Sequence, residues 1–176
     1  MSARTDATLW SKEASLQLIF IAGTWGSGTT ALAGALAHLG VPALGPHFHT
    51  NDPRTPNAYE LEPWRDMLLR YADEASIALK PGIAADFIRD LQRFRQDVVE
   101  GRYGALPAEA PPRFLLKSPL GALALPYLHH FFDLSVVLVH RPLEEVEQSR
   151  ARRGWPAVYG LAGGRVLVNK TLCALM

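Results

Sequence analysis

The chain has little that would crosslink it or anchor it in a membrane. It has one cysteine, Cys173, so no disulfide can form within it, and a reducing compartment is its natural setting. No apolar run approaches the length of about 20 residues that a membrane-spanning helix needs, and the polar first 15 residues lack the apolar stretch of a signal peptide. These absences predict a soluble, cytoplasmic protein without a membrane partner.

The chain also lacks an excess of charge of either sign. Its formal net charge is +1 at pH 7, with 18 Lys and Arg against 17 Asp and Glu. Surfaces that bind nucleic acid normally carry a large basic excess, so a nucleic-acid partner is not expected. Any anion must be bound in a local pocket.

What is present is enough apolar sequence for one domain, since 48% of the 176 residues are hydrophobic. We expect a flexible leader over residues 1–15 and a single α/β domain over 16–176. The apolar run Arg165 to Met176 stops without a cap or a polar tail, which leaves open whether the domain is complete at its C-terminus.

Three apolar runs suited to buried strands alternate with helical patterns: Leu16 to Ala22, Arg113 to Lys117 and Leu134 to Val139. The expected helices are Gly28 to His38, Leu61 to Leu79, Ile83 to Glu100, Leu120 to Phe131 and Leu143 to Arg153. Pro42 to Pro63, with five prolines, is expected to be a long irregular loop. The alternation predicts an α/β fold of three layers, in which helices flank a mostly parallel central sheet with functional groups at the carboxyl ends of its strands.

The first strand leads into the sequence G-T-W-G-S-G-T-T from Gly23 to Thr30, here called the glycine turn. Gly23 and Gly28 have the G-x-x-x-x-G spacing of a phosphate-binding loop, whose backbone N–H groups surround an oxyanion at a helix start. Thr29 and Thr30 stand where nucleotide triphosphatases and kinases have lysine and a hydroxyl residue. The turn therefore predicts a phosphate or sulfate site, with a plain strand-to-helix turn as the alternative.

A second candidate anion site follows the third strand, where Arg141 precedes Ser149 by eight residues. A guanidinium at the mouth of a parallel sheet can bind phosphate through two hydrogen bonds, and the serine hydroxyl can add another donor. The alternative is that Arg141 pairs with a nearby glutamate and Ser149 is merely exposed.

These segments together resemble the sulfotransferase family. The glycine turn is similar to its 5′-phosphosulfate loop, the Arg141 to Ser149 spacing is similar to its 3′-phosphate motif, and Leu115 to Pro119 (LLKSP) looks like the K-S-P or K-T-H segment between them. The resemblance covers most of the chain and implies a P-loop-type fold. It also implies a donor, 3′-phosphoadenosine 5′-phosphosulfate (PAPS), with 3′-phosphoadenosine 5′-phosphate (PAP) as the product and no metal.

The resemblance implies two groups of site residues. The donor would be held by Trp25, Gly26, Ser27, Gly28, Thr29, Thr30, Arg141 and Ser149, and the catalytic residues would be Lys117, Glu60, His47 and His49. Glu60 is the favoured base, because Asn-Ala-Tyr-Glu60 resembles a segment that carries a glutamate in some bacterial members; Asp52 is a further candidate. Two positions depart from the family: Gly26 replaces a common basic residue, and Pro119 replaces the histidine of K-T-H.

The acceptor is expected to be a small molecule that offers a hydroxyl or an amine, and Trp64, Tyr59 and Phe48 favour an apolar or aromatic one. Assembly into a homo-oligomer is left open. Two other functions compete with sulfuryl transfer. One is a nucleotide or small-molecule kinase, which the missing lysine and the His140-Arg141 ending of the third strand disfavour. The other is a degenerate nucleotide-binding protein without turnover, which Gly26 keeps open.

Overall fold

The computed structural model of the chain describes residues 15–73, 76–107 and 111–154. In chain order the elements are β1 (Gln17–Ala22), α1 (Thr29–His38), β2 (His47–His49), β3 (Asn57–Leu61), α2 (Glu62–Tyr71), β4 (Ala72–Asp73), β5 (Ala78–Leu79), α3 (Ala84–Val99), β6 (Arg113–Lys117), a 3-10 helix (Leu120–Ala124), α4 (Leu125–Leu128), β7 (Asp133–Leu138) and α5 (Leu143–Arg152). The predicted leader up to residue 14, the C-terminal run and Cys173 lie outside the described residues.

The α/β class and the parallel pairing of the three apolar strands are confirmed. β1 lies between β6 and β7 and pairs in parallel with both. From Leu18 to Ala22 its side chains are apolar and both faces are covered: Leu18 and Phe20 belong to one cluster of apolar residues and Ile21 to another. The carboxyl ends of all three strands therefore meet at one edge of the sheet, as the alternation predicted.

Helices cover the two faces of β1. On one face, α2 and α3 contribute Trp64, Phe87 and Phe94 to the larger core, where the Trp64 and Phe94 rings lie 5.0 Å apart. On the other face, α1 contributes Ala33 to the smaller cluster. β7 is covered much less, since its residues Val136, Val137 and Leu138 remain 37–50% exposed. Within the described ranges, no helix combines the length and apolar character needed to cross a bilayer.

The prediction of an irregular loop from Pro42 to Pro63 is wrong, because β2 and β3 form an antiparallel hairpin there. Every proline of the segment lies outside the two strands, so none removes a hydrogen bond from the pairing. The turn between the strands is closed by polar groups: the Thr50 N–H donates to the Pro56 carbonyl at 2.9 Å, and the Thr50 hydroxyl donates to the Thr55 carbonyl at 2.6 Å. Prolines and polar residues, which indicated a loop, here build the turn of a hairpin.

Two predicted helices are shorter than expected. The first ends at Tyr71, because Ala72 and Asp73 turn away to pair with β5. The second, Leu120 to Phe131, is a 3-10 helix followed by the single turn of α4. The 3-10 segment is wholly buried, and a Cβ on Gly121 would lie 2.9 Å from Phe20 Cζ, so close packing against β1 shapes it. The predictions for α1, α3 and α5 are confirmed to within one residue at each end.

A partly buried tyrosine that packs against the core is expected to make the stability of the fold fall at alkaline pH. The Tyr103 ring stacks on Phe94, and its hydroxyl donates to Asp97 Oδ2 at 3.0 Å. Burial, helped by this hydrogen bond, raises the pKa of Tyr103 to about 12. The pKa of an unfolded tyrosine is about 10. The protonated phenol thus favours the folded state, and its contribution is complete below about pH 10 and lost as the pH rises towards 12.

We therefore expect the free energy of unfolding of the wild type to fall more between pH 9 and pH 11 than that of Tyr103→Phe, which keeps the ring but has no phenol to ionise. Urea unfolding of both proteins at the two pH values measures the difference. An equal fall in the two proteins would contradict the assigned pKa.

Candidate active site

The glycine turn joins the carboxyl end of β1 to the first turn of α1. The Ser27 backbone N–H and its hydroxyl both donate to the Thr24 carbonyl, at 3.1 Å and 2.8 Å. Gly26 and Gly28 have φ angles of 95° and 103°, in the left-handed region that favours glycine. The first turn of α1 contains no acidic residue. The positive end of the helix is thus left without a carboxylate, which suits it to an anion.

Gly26 lies against α5. It stands at the position where the sulfotransferase family commonly has a basic residue. A Cβ at this position would be 3.2 Å from Arg150 Cγ and 3.4 Å from the Val146 carbonyl oxygen. Arg150 itself is only 1% exposed, and burial lowers its pKa. The packing of α5 under the turn leaves little room for a side chain at position 26, and the φ angle of 95° also opposes one.

Lys117 and Glu60 form a largely buried ion pair at the edge of the sheet. Lys117 is the last residue of β6, and its Nζ donates to Glu60 Oε1 at 2.7 Å. The two side chains are 4% and 12% exposed. They lie 57 residues apart in the chain, so only the fold brings them together.

The hairpin carries Glu60 to this position because β3 is attached to α1. The Thr30 hydroxyl donates to the Ala58 carbonyl at 3.4 Å. The Tyr59 ring packs where a side chain on Gly34 would stand, at 3.3 Å from the position of its Cβ. Tyr59 has a positive φ of 54°, and its N–H donates to Asn57 Oδ1 at 2.7 Å. These contacts fix the backbone next to Glu60.

A cavity of about 760 Å³ lies over this edge of the sheet. Seven of the predicted site residues line it: Trp25, Gly26, Thr29, Thr30, His49, Glu60 and Lys117. The other predicted site residues, Ser27, Gly28, His47, Arg141 and Ser149, are not among the lining residues. Most of the residues predicted to bind the donor or to take part in catalysis therefore line the same cavity.

His47 and His49 occupy different surroundings although they are two residues apart. His47 Nδ1 lies 3.1 Å from Asn57 Nδ2, whose N–H it accepts, and the His47 ring packs on Tyr59. Burial is the main cause that lowers the pKa of His47. His49 is exposed and lines the cavity. Of the two histidines, only His49 can reach a ligand in the cavity.

Arg141 lies beside the glycine turn and not on the cavity wall. Its Nε donates to Glu145 Oε2 at 2.8 Å, and its Nη1 lies 3.4 Å from the Gly26 carbonyl oxygen. The guanidinium thus makes the glutamate pair that the sequence offered as the alternative, and also contacts the turn. Ser149 is 7% exposed on α5, so it is buried and not the exposed serine of that alternative.

The cavity wall also carries Asp52, the further candidate base, and four arginines. Asp52 is bound by Arg54 Nε at 3.0 Å and lies 3.4 Å from Arg153 Nε at the end of α5. The hydrogen bonds from Arg54 lower the pKa of Asp52, so this carboxyl is a poor base. Arg65 and Arg152 complete the charged part of the wall. No short motif links these residues, which come from the hairpin turn, α2 and α5.

Within the described ranges, no three His, Cys, Asp or Glu side chains stand together as metal ligands. No model of a known protein family matches the chain, and no curated protein matches it either. Function is therefore inferred from the cavity itself.

Proposed function

We propose that this protein is a sulfotransferase with a P-loop-type fold, which transfers a sulfuryl group from PAPS to a hydroxyl or an amine of a small acceptor. The observation that carries the proposal is the buried Lys117 ammonium, which shares a cavity with Gly26, Thr29 and Thr30 of the glycine turn and lies 2.7 Å from the Glu60 carboxylate. An anion cradle, a cation and a base in one space are what sulfuryl transfer requires.

The residues of the turn fit a phosphosulfate group. Gly26, Thr29 and Thr30 line the cavity, and the first turn of α1 has no carboxylate that would repel an anion. When bound, PAPS supplies an activated sulfuryl group together with a phosphate leaving group. Lys117 has three N–H donors, so it can keep its bond to Glu60 and still donate to the oxygen on which negative charge develops.

Glu60 is the proposed general base. As the acceptor oxygen forms its bond to sulfur, its proton passes to Glu60, the bond between sulfur and the phosphate oxygen breaks, and PAP leaves with the electron pair. His49 is the second candidate for this role because it also faces the cavity. His47 is a less suitable base than either because it does not line the cavity.

Arg141 and Ser149 are proposed to hold the 3′-phosphate of the donor. Arg141 is 32% exposed next to the turn, so its guanidinium can exchange the surface glutamate for a phosphate. The missing lysine of the turn disfavours a kinase, since Thr29 follows Gly28 and the cavity lysine, Lys117, comes from β6.

Binding experiments test this proposal directly. We expect calorimetry to show that PAP binds at least about tenfold more tightly than ATP with Mg²⁺, a difference of about 1.4 kcal/mol. Arg141→Met should lower the affinity for PAP more than the affinity for adenosine 5′-phosphosulfate, which lacks the 3′-phosphate. Preference for ATP with Mg²⁺ would favour the kinase alternative, and PAP binding without turnover of PAPS on any acceptor would favour the degenerate one.

A further inference from the structure

The wall of the cavity is strongly basic. It carries five basic side chains against two carboxylates, an excess of three positive charges that contrasts with the near-neutral chain. The lining charges are Arg54, Arg65, Lys117, Arg152, Arg153, Asp52 and Glu60. Lys117 and Glu60 offset each other, and Asp52 is shared by two arginines. The surplus lies mainly on Arg65, Arg152 and the arginines around Asp52.

Arg65 is held over an aromatic ring. Its guanidinium carbon lies 4.4 Å from the centre of the Phe48 ring, and both residues line the cavity. The Arg65 side chain is 24% exposed, and its ion pair with Asp66 is long, at 3.8 Å, and formed with a carboxylate that is 66% exposed. A surface ion pair of this kind contributes little to the stability of the fold. Stacking on a ring leaves the in-plane N–H donors of a guanidinium able to bind a carboxylate through two hydrogen bonds.

Phe48 and Arg65 lie on the side of the cavity that the hairpin and α2 build. The glycine turn and α1, which would hold the donor, supply a different part of the wall. Glu60, the proposed base, belongs to β3, the strand that pairs with the strand of Phe48. An acceptor with its hydroxyl at Glu60 would therefore have its body beside Phe48 and its far end within reach of Arg65.

We propose that the acceptor is an aromatic alcohol with a carboxylate, and that Arg65 binds this carboxylate. This inference rests on the proposed function and names its substrate class. Phe48 contributes the apolar surface, and Arg65 gives the charge selectivity that an apolar wall alone would lack.

The test compares 4-hydroxyphenylacetate with its neutral amide, 4-hydroxyphenylacetamide, as sulfuryl acceptors. We expect the wild type to prefer the carboxylate at least about tenfold in kcat/KM, as one charge-assisted pair allows. Arg65→Met should remove the preference through a higher KM for the carboxylate with kcat little changed, and Arg65→Lys should keep part of it. Arg93→Met, at an exposed site on α3, is the matched control and should leave the preference intact.

Two further readouts separate the inference from the proposed function. PAP affinity should be the same in the wild type and in Arg65→Met; a loss of PAP affinity in that variant would place Arg65 at the donor and overturn the inference. Equal use of the acid and the amide by the wild type would also overturn it. If PAP does not bind at all, the proposed function fails. Calorimetric binding of 4-hydroxyphenylacetate to the wild type but not to Arg65→Met would then still support an aromatic carboxylate site.

Discussion

Replacing Lys117 by methionine is expected to lower the free energy of unfolding by about 3–5 kcal/mol at pH 7. The variant leaves the Glu60 carboxylate, 12% exposed, without the ammonium that donates to it at 2.7 Å. Folding removes this carboxylate from water, and without Lys117 no opposite charge offsets that cost. The loss of folding free energy is therefore larger than the net contribution of the intact pair. Urea unfolding at pH 7 measures the change.

A double variant gives the matched control. In Lys117→Met with Glu60→Gln the buried charge is gone, so most of the lost stability should return. Single and double variants with the same free energy of unfolding would contradict a buried pair. A loss below about 1 kcal/mol in the single variant would show that the two side chains interact as an exposed pair does.

The same single variant bears on the proposed chemistry. If the Lys117 ammonium stabilises the leaving phosphate, kcat for sulfuryl transfer should fall by about 10²–10³. Lys117→Arg keeps a positive charge and should lose less. Because the lost interaction is strongest in the transition state, affinity for PAP should fall much less than kcat. A fall in PAP affinity as large as the fall in kcat would make Lys117 a binding residue only.

Replacing Gly23 by alanine is expected to destabilise the fold by about 3 kcal/mol or more and to abolish PAP binding. A Cβ there would lie 2.8 Å from Thr29 Cγ2 and from the Val139 carbonyl oxygen, and 2.9 Å from Ser27 Oγ. The φ of 155° is also unusual for a residue with a side chain. Overpacking and an unfavourable backbone conformation each cost about 1–3 kcal/mol. The collisions would displace the turn, and with it the N–H groups proposed to hold phosphate.

Gly28→Ala is the control for this change. Nothing lies within 4 Å of a Cβ at position 28, so only the left-handed φ of 103° opposes the substitution. Its cost should be about 1–2 kcal/mol. Chemical unfolding of the two variants, with calorimetry against PAP, tests the difference. Equal destabilisation would show that the space around Gly23 is not filled as described.

The elements that sequence patterns predicted correctly are those with a strong local signal. β1 and β6 are short apolar runs, α1 follows a glycine turn, and α3 has apolar residues at helical spacing. The hairpin of β2 and β3 was missed because its strands are short and half polar and lie among prolines. What makes them strands is their pairing with each other and the packing of Tyr59 against α1, neither of which a local pattern encodes.

By itself, the sequence determined the parallel sheet, the glycine turn at the end of its central strand and the position of Lys117 at the end of a neighbouring one. Each follows from local rules, since apolar runs form buried strands and glycine permits the turn. Only the tertiary structure decided that Glu60 lies against Lys117, that Arg150 packs under Gly26 and that Arg65 and Phe48 share a cavity wall with the turn. Those contacts join residues far apart in the chain, and their positions depend on how whole elements pack, which no spacing within one segment records.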